Sequence, residues 1–183
     1  MPFVRFATAR ALFESYPEVE KKIGAAPTDH PPIDFAKALL SSGKLADALT
    51  FCAYLLPRRE AVWWACASVR RLQPDIPRED ADGLRAAEAW VAMPDDDHRR
   101  AALAIGSGGD SSHPATWLAL AAGWSGGVET SGASQLPIPA YMTARAARIA
   151  VLLSAAKVGP GQRQASMRSS IMEGIRLAET GLG

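Results

Sequence analysis

The chain has 183 residues, 48% of them hydrophobic and 21% charged, and a net charge of +1. That size and make-up suit one globular domain, large enough to bury a core without disulfide or metal staples. The near-neutral balance excludes a general polyanion binder, and no apolar run approaches the ~20 residues of a membrane span.

The N-terminal stretch MPFVRFATARALF is basic, and Arg5 and Arg10 interrupt its apolar residues, so no secretory leader is expected and the cytoplasm is the default location. TARALFES predicts a short helix with Thr8 as its cap, ending near Pro17. PEVEKKIG adds one or two turns. GAAPTDHPP reads as a loop. IDFAKALLSSG predicts a helix with Asp34 as N-cap and Gly43 as its stop. KLADALTFCAYLL places Leu45, Ala48, Leu49 and Cys52 on one stripe. Pro57 ends that helix and opens the next, where its missing N–H is harmless.

IPREDADGLRAAEAWVAM puts Glu79, Asp80 and Asp82 at a helix start, where the macrodipole favours them. Leu84, Ala87 and Val91 form its apolar stripe, with Trp90 beside it. DDDHRRAALAIG is a further helix, and HPATWLALAAG another, with Ser112 as candidate cap. Glycine-rich loops are expected at 106–113 and 123–139, the second long enough to suggest a function. Two alanine-rich helices close the chain, at about 138–158 and 161–180. Their expected stripes are Met142, Ala146, Ile149, Leu153, Ala156 and then Met167, Ile171, Ile175, Ala178. Apolar residues recur at three and four throughout, without strand-like alternation. The pattern predicts an all-α fold: one domain over 1–183, with about seven to nine helices stacked as antiparallel helical hairpins.

The run PRREAVWWACASVRR (57–71) raises three readings: a nucleic-acid grip, a cysteine nucleophile or a buried helix. At 100° per residue, Val62, Ala65, Cys66, Val69 and Leu72 share one arc of about 120°. Trp63 falls on one flank with Arg59 and Arg70, and Trp64 on the other with Glu60 and Arg71. The rings therefore cannot form one stacking platform for bases. Cys66 lies mid-stripe, without the exposed electropositive setting a thiolate needs. Neither Cys52 nor Cys66 belongs to a CxxC pair. The expected element is a central helix whose tryptophans fill the grooves on its two sides. Its LPRREAVWWAC segment resembles a small, uncharacterised, all-helical bacterial family associated with type VI secretion gene neighbourhoods. The resemblance implies an accessory role near a secreted effector or its spike, and brings no catalytic residues.

Other motifs dissolve on inspection. GWSGG (123–127) has the GxSxG spacing of a nucleophile elbow but follows a helix, and no Asp or His comes after Ser125. DDDH (95–98) opens a helix, where first-turn carboxylates are stabilised without metal, and Asp95–Arg99 and Asp96–Arg100 have helix-pair spacing. GSGGDSS lacks the lysine of a phosphate loop. The histidines His30, His98 and His113 are scattered. ARAAR (144–148) sets Arg145 and Arg148 one turn apart near Tyr141.

The favoured expectation is a non-catalytic protein-interaction module, with no cofactor, metal, nucleic acid or membrane. Its partner-binding surface would comprise Trp124, Tyr141, Arg145 and Arg148, since Trp, Tyr and Arg dominate interface hot spots. The alternatives are a small enzyme with its site under the 123–139 loop, using Ser125 or His113, and a homodimer through the two C-terminal helices.

Overall fold

The computed structural model describes residues 3–126, 128–131 and 134–182, with side chains for 3–126 and 137–182. The fold is all-α. Its helices are α1 (Ala9–Ser15), α2 (Pro17–Glu20), α3 (Pro32–Ser41), α4 (Leu45–Leu55), α5 (Arg58–Leu72), α6 (Ala81–Ala92), α7 (Asp96–Ser107), α8 (Pro114–Gly123), α9 (Met142–Ala156) and α10 (Pro160–Thr180), with a 3-10 turn at Arg78–Asp80. The one-turn α2 takes the total above the expected range.

Several ends obey local chemistry. The Thr8 hydroxyl accepts from the Ala11 N–H at 3.1 Å and caps α1. Gly43 adopts φ +76°, and the Lys44 N–H reaches back to the Leu39 carbonyl, closing α3. Others differ from expectation. Asp34 is not the cap of α3, because Pro31 and Pro32 start that helix and leave Asp34 in its first turn. Ser112 does not cap α8; the N-cap residue is His113, followed by Pro114. Asp95 does cap α7, accepting from the His98 N–H at 2.8 Å, so it is unavailable to Arg99. Arg99 pairs with Asp96 instead, and Arg100 pairs with Asp96 as expected and also with Asp97.

Helix α5 is the hub, packed against α6, α8, α9 and α10. Trp64 is fully buried and its indole N–H donates to the Ser170 carbonyl at 2.7 Å. Trp63, on the opposite flank, is only partly buried. Every residue of α4 from Ala48 to Leu55 is buried, as expected of a helix enclosed on all sides. α10 buries the expected Met167, Ile171, Ile175 and Ala178. α9 follows its expected stripe only at Ala146, which is fully buried. It turns small residues inward (Thr143, Ala147, Ala150, Ser154), leaving Met142, Ile149 and Leu153 on the flanks and Ala156 exposed. A helix wedged between α4, α5 and α8 gains more from close approach than from bulk.

The 123–139 segment, expected as a loop, carries an antiparallel hairpin of β1 (Val128–Ser131) and β2 (Ser134–Pro137), with Val128 opposite Pro137. Its four-residue strands are too short to register as alternation in the sequence. No helix among the described residues is long and apolar enough to cross a membrane.

Candidate functional site

The two ends of the 123–139 segment contribute Trp124 and Pro137–Pro139 to a concave surface. α8 is locked against α7 at Gly123, where an added Cβ would lie 2.7 Å from Leu103 Cα. On the outer side of α8, Trp117 and Trp124 stand seven residues apart, two turns on one face. Their rings meet edge to face at 6.5 Å, and the Trp117 indole N–H donates to the Ser111 carbonyl at 2.8 Å. These tryptophans, with Leu120, Ile138, Pro139 and Met142, line a cleft of about 530 Å³. The lining carries no charged residue.

Trp124 is thus partly buried and serves as a wall, instead of projecting as a free anchor. Tyr141 precedes α9 at the rim. Arg145 is exposed one turn beyond the cleft residue Met142. Arg148 points elsewhere: it is half-buried, and its Nε–H donates to Thr50 Oγ1 on α4 at 2.9 Å. Burial holds its guanidinium below the usual arginine range. Of the four expected partner-binding residues, Trp124 lines the cleft, whereas Tyr141, Arg145 and Arg148 all act on Tyr54 of α4, and Arg148 bonds to that helix.

Arg148 leads to a group that sequence reasoning missed. Tyr54 on α4 is fully buried, and its hydroxyl has no hydrogen-bond partner among the described residues. Burial pushes the phenol up to about 12; Glu18 adds to the rise, while Arg148 and Arg145 oppose it. Helical spacing gives only the Arg145–Arg148 half of this cluster. The α4 half lies some ninety residues earlier, and no local signal joins the two.

The expected alternative sites separate. Ser125 donates its hydroxyl to the Ala122 carbonyl at 2.5 Å, beyond the C-terminal end of α8. His113 sits before the N-terminal end, its Nδ1 3.1 Å from Asp80 Oδ1. The whole of α8 lies between them, which at 1.5 Å per residue puts them about 18 Å apart, so Ser125 and His113 cannot form one site. The His113–Asp80 contact is itself unanticipated. Asp80 is 3% exposed, its second oxygen is buried without a partner among the described residues, and His113 lines a cleft of about 270 Å³ with Glu79, Asp82 and Asp110. Among the described residues no three His, Cys, Asp or Glu side chains converge as metal ligands. Both cysteines are buried, which pushes the thiols up, Cys52 to about 12. Trp63 lines a second groove of about 520 Å³ between α5 and α6, where Arg70 is held by Glu88 at 2.6 and 2.8 Å.

The two C-terminal helices use their apolar faces inside the chain. α9 packs on α4, α5 and α8, and α10 on α3, α4 and α5. Met172 is the large apolar side chain that α10 leaves exposed.

A model described as a family of unknown function (DUF6931) matches residues 35–178, from α3 to near the end of α10. No curated protein and no solved structure matches the chain.

Proposed function

The chain belongs to that family of unknown function, and from this footing we propose that it is a non-catalytic protein-interaction module, an adaptor or accessory protein. The observation that carries the reading is the Trp117–Trp124 cleft. It is uncharged inside and has Arg145, unpaired among the described residues, one turn beyond its residue Met142, on a C-terminal segment with six basic and three acidic residues over 111–183. The occupant is an extended segment of another protein that offers an apolar side chain to the tryptophans and a carboxylate to Arg145. Buried aromatic walls with a charged rim are the usual anatomy of a binding hot spot. A cytoplasmic setting near a secretion apparatus, the placement that the Leu56–Cys66 helix suggests, is part of this proposal.

Affinity capture from the source cell with wild type, Trp124→Ala and a Trp63→Ala control tests it. A protein held by wild type and Trp63→Ala, and lost with Trp124→Ala, is the expected result. The purified pair should then show a loss of about thirtyfold or more for Trp124→Ala. Equal binding by Trp124→Ala would remove the cleft from the interface.

A further inference from the structure

The seam between α4 and α9 presents donors that meet no acceptor. Arg145 and Arg148 lie one turn apart on α9, and Thr50 and Tyr54 one turn apart on α4. The bond from Arg148 Nε to Thr50 Oγ1 joins the two helices. That bond uses one of the five N–H groups on the guanidinium. The other four have no acceptor among the described residues, nor does the Arg145 side chain. Arg10, Arg70, Arg85, Arg99, Arg100 and Arg176 each hold a carboxylate. Arg148 is more enclosed than most of these and, like Arg58, Arg59 and Arg71, holds none among the described residues. The Tyr54 hydroxyl, one turn along α4 from Thr50, is fully buried and has no partner among the described residues. Unpaired charges and buried unbonded hydroxyls are both costly, and finding them together points to a missing ligand.

We propose that this seam is an oxyanion site that takes a phosphate group. Two guanidinium groups that hold no carboxylate among the described residues call for an anion. Donors arriving from two helices suit the spread oxygens of a tetrahedral phosphate better than a planar carboxylate. Glu18, whose charge acts on the Tyr54 phenol, has a buried oxygen without a partner among the described residues and opposes the anion. The phosphate is carried either by a small phosphate ester or by a phosphorylated side chain on a partner. The proposal does not depend on the tryptophan cleft, with which it shares only Arg145.

Calorimetric titration of the full chain with inorganic phosphate, at constant ionic strength against chloride, tests it. Saturable binding is expected, weakened about tenfold by Arg145→Ala and by Tyr54→Phe, and tightened by Glu18→Gln. Tyr54→Phe should melt no lower than wild type in buffer, since the hydroxyl it removes is unbonded. A phosphoserine peptide that binds more tightly than inorganic phosphate, beside a silent unphosphorylated twin, places the phosphate on a protein; equal affinity places it on a small molecule. No saturable binding, or equal binding by wild type and Arg145→Ala, overturns the site. So does a lower melting temperature for Tyr54→Phe, because the hydroxyl would then already hold a structural partner.

Discussion

The two sides of this molecule are packed in opposite ways. Around α1, α3 and α4 the space is filled by rings. Phe13, Phe35 and Phe51 meet at 4.8 to 6.0 Å, Tyr16 lies edge-on to Tyr54 at 5.5 Å, and Trp64 completes the wall against α10. Around α6, α7 and α8 the helices touch where side chains are missing. A Cβ on Gly83 would lie 2.5 Å from the Ala115 carbonyl oxygen, and one on Gly106 2.8 Å from the Leu120 side chain. One side is specified by bulk and the other by its absence. The candidate docking cleft belongs to the second kind: the close approach of α7 and α8 leaves the two tryptophans of α8 on the outside.

Removal of bulk should give the largest effect. Trp64→Ala deletes a fully buried indole and its bond to Ser170, at a cost of about 3–5 kcal/mol. Urea unfolding followed by circular dichroism reads this directly. A loss under 1 kcal/mol would mean that the ring-packed side can collapse around the hole.

Addition of bulk is the converse test. Gly123→Ala sets a methyl group 2.7 Å from Leu103 Cα and Cβ, on backbone that cannot swing aside. Alanine's helix propensity contributes up to ~1 kcal/mol in the other direction, and overpacking of this kind costs about 1–3 kcal/mol. A net loss of about 1 kcal/mol is expected, with weaker binding in the cleft. A gain in stability would show that α7 and α8 have slack between them.

The two sides also differ in how far the sequence exposed them. Bulk leaves a periodic trace, so the Val62–Leu72 arc, the divergence of Trp63 and Trp64 and the α10 stripe were all legible. Absence leaves none. Gly83 reads as a weak point in a helix, and its role appears only with Ala115, thirty-two residues on. The stripe expected for α9 counted Met142, Ile149 and Leu153 as its inner residues, whereas the buried face runs through Ala146, Ala147, Ala150 and Ser154, because the neighbours sit too close for bulk. Trp124 and Arg145 were reachable from composition. The Tyr54–Arg148 and Asp80–His113 neighbourhoods were not, since each joins helices distant in sequence through polar groups that no period marks.

Cysteine labelling tests whether the two sides unfold together. Burial raises both thiols, Cys52 to about 12, so neither should react with a disulfide reagent at pH 8 in the native protein, and both should react in guanidinium. The buried residues form one continuous cluster from α1 to α10, so opening is expected to be global. Labelling of Cys52 should then accelerate in Gly123→Ala as well as in Trp64→Ala, about tenfold for each 1.4 kcal/mol lost. Acceleration in Trp64→Ala alone would separate the sides into two units.

The smallest effect should come from α7, at the edge of the glycine-packed side. The Asp95 carboxylate is held below the ordinary aspartate range, first by the His98 backbone N–H and then by the His98 ring. A carboxyl whose pKa is depressed by folding contributes stability that is full above its unfolded value and fades as the pH falls through the folded one. Asp95→Asn keeps an oxygen for the cap and removes the charge. Wild type should therefore melt slightly higher than the variant at pH 7, and the gap should close as the pH falls below about 4. A gap that persists in acid would assign the benefit to the shape of the cap instead of its charge. It would also make α7 resemble the rest of its side, where geometry decides and electrostatics follows.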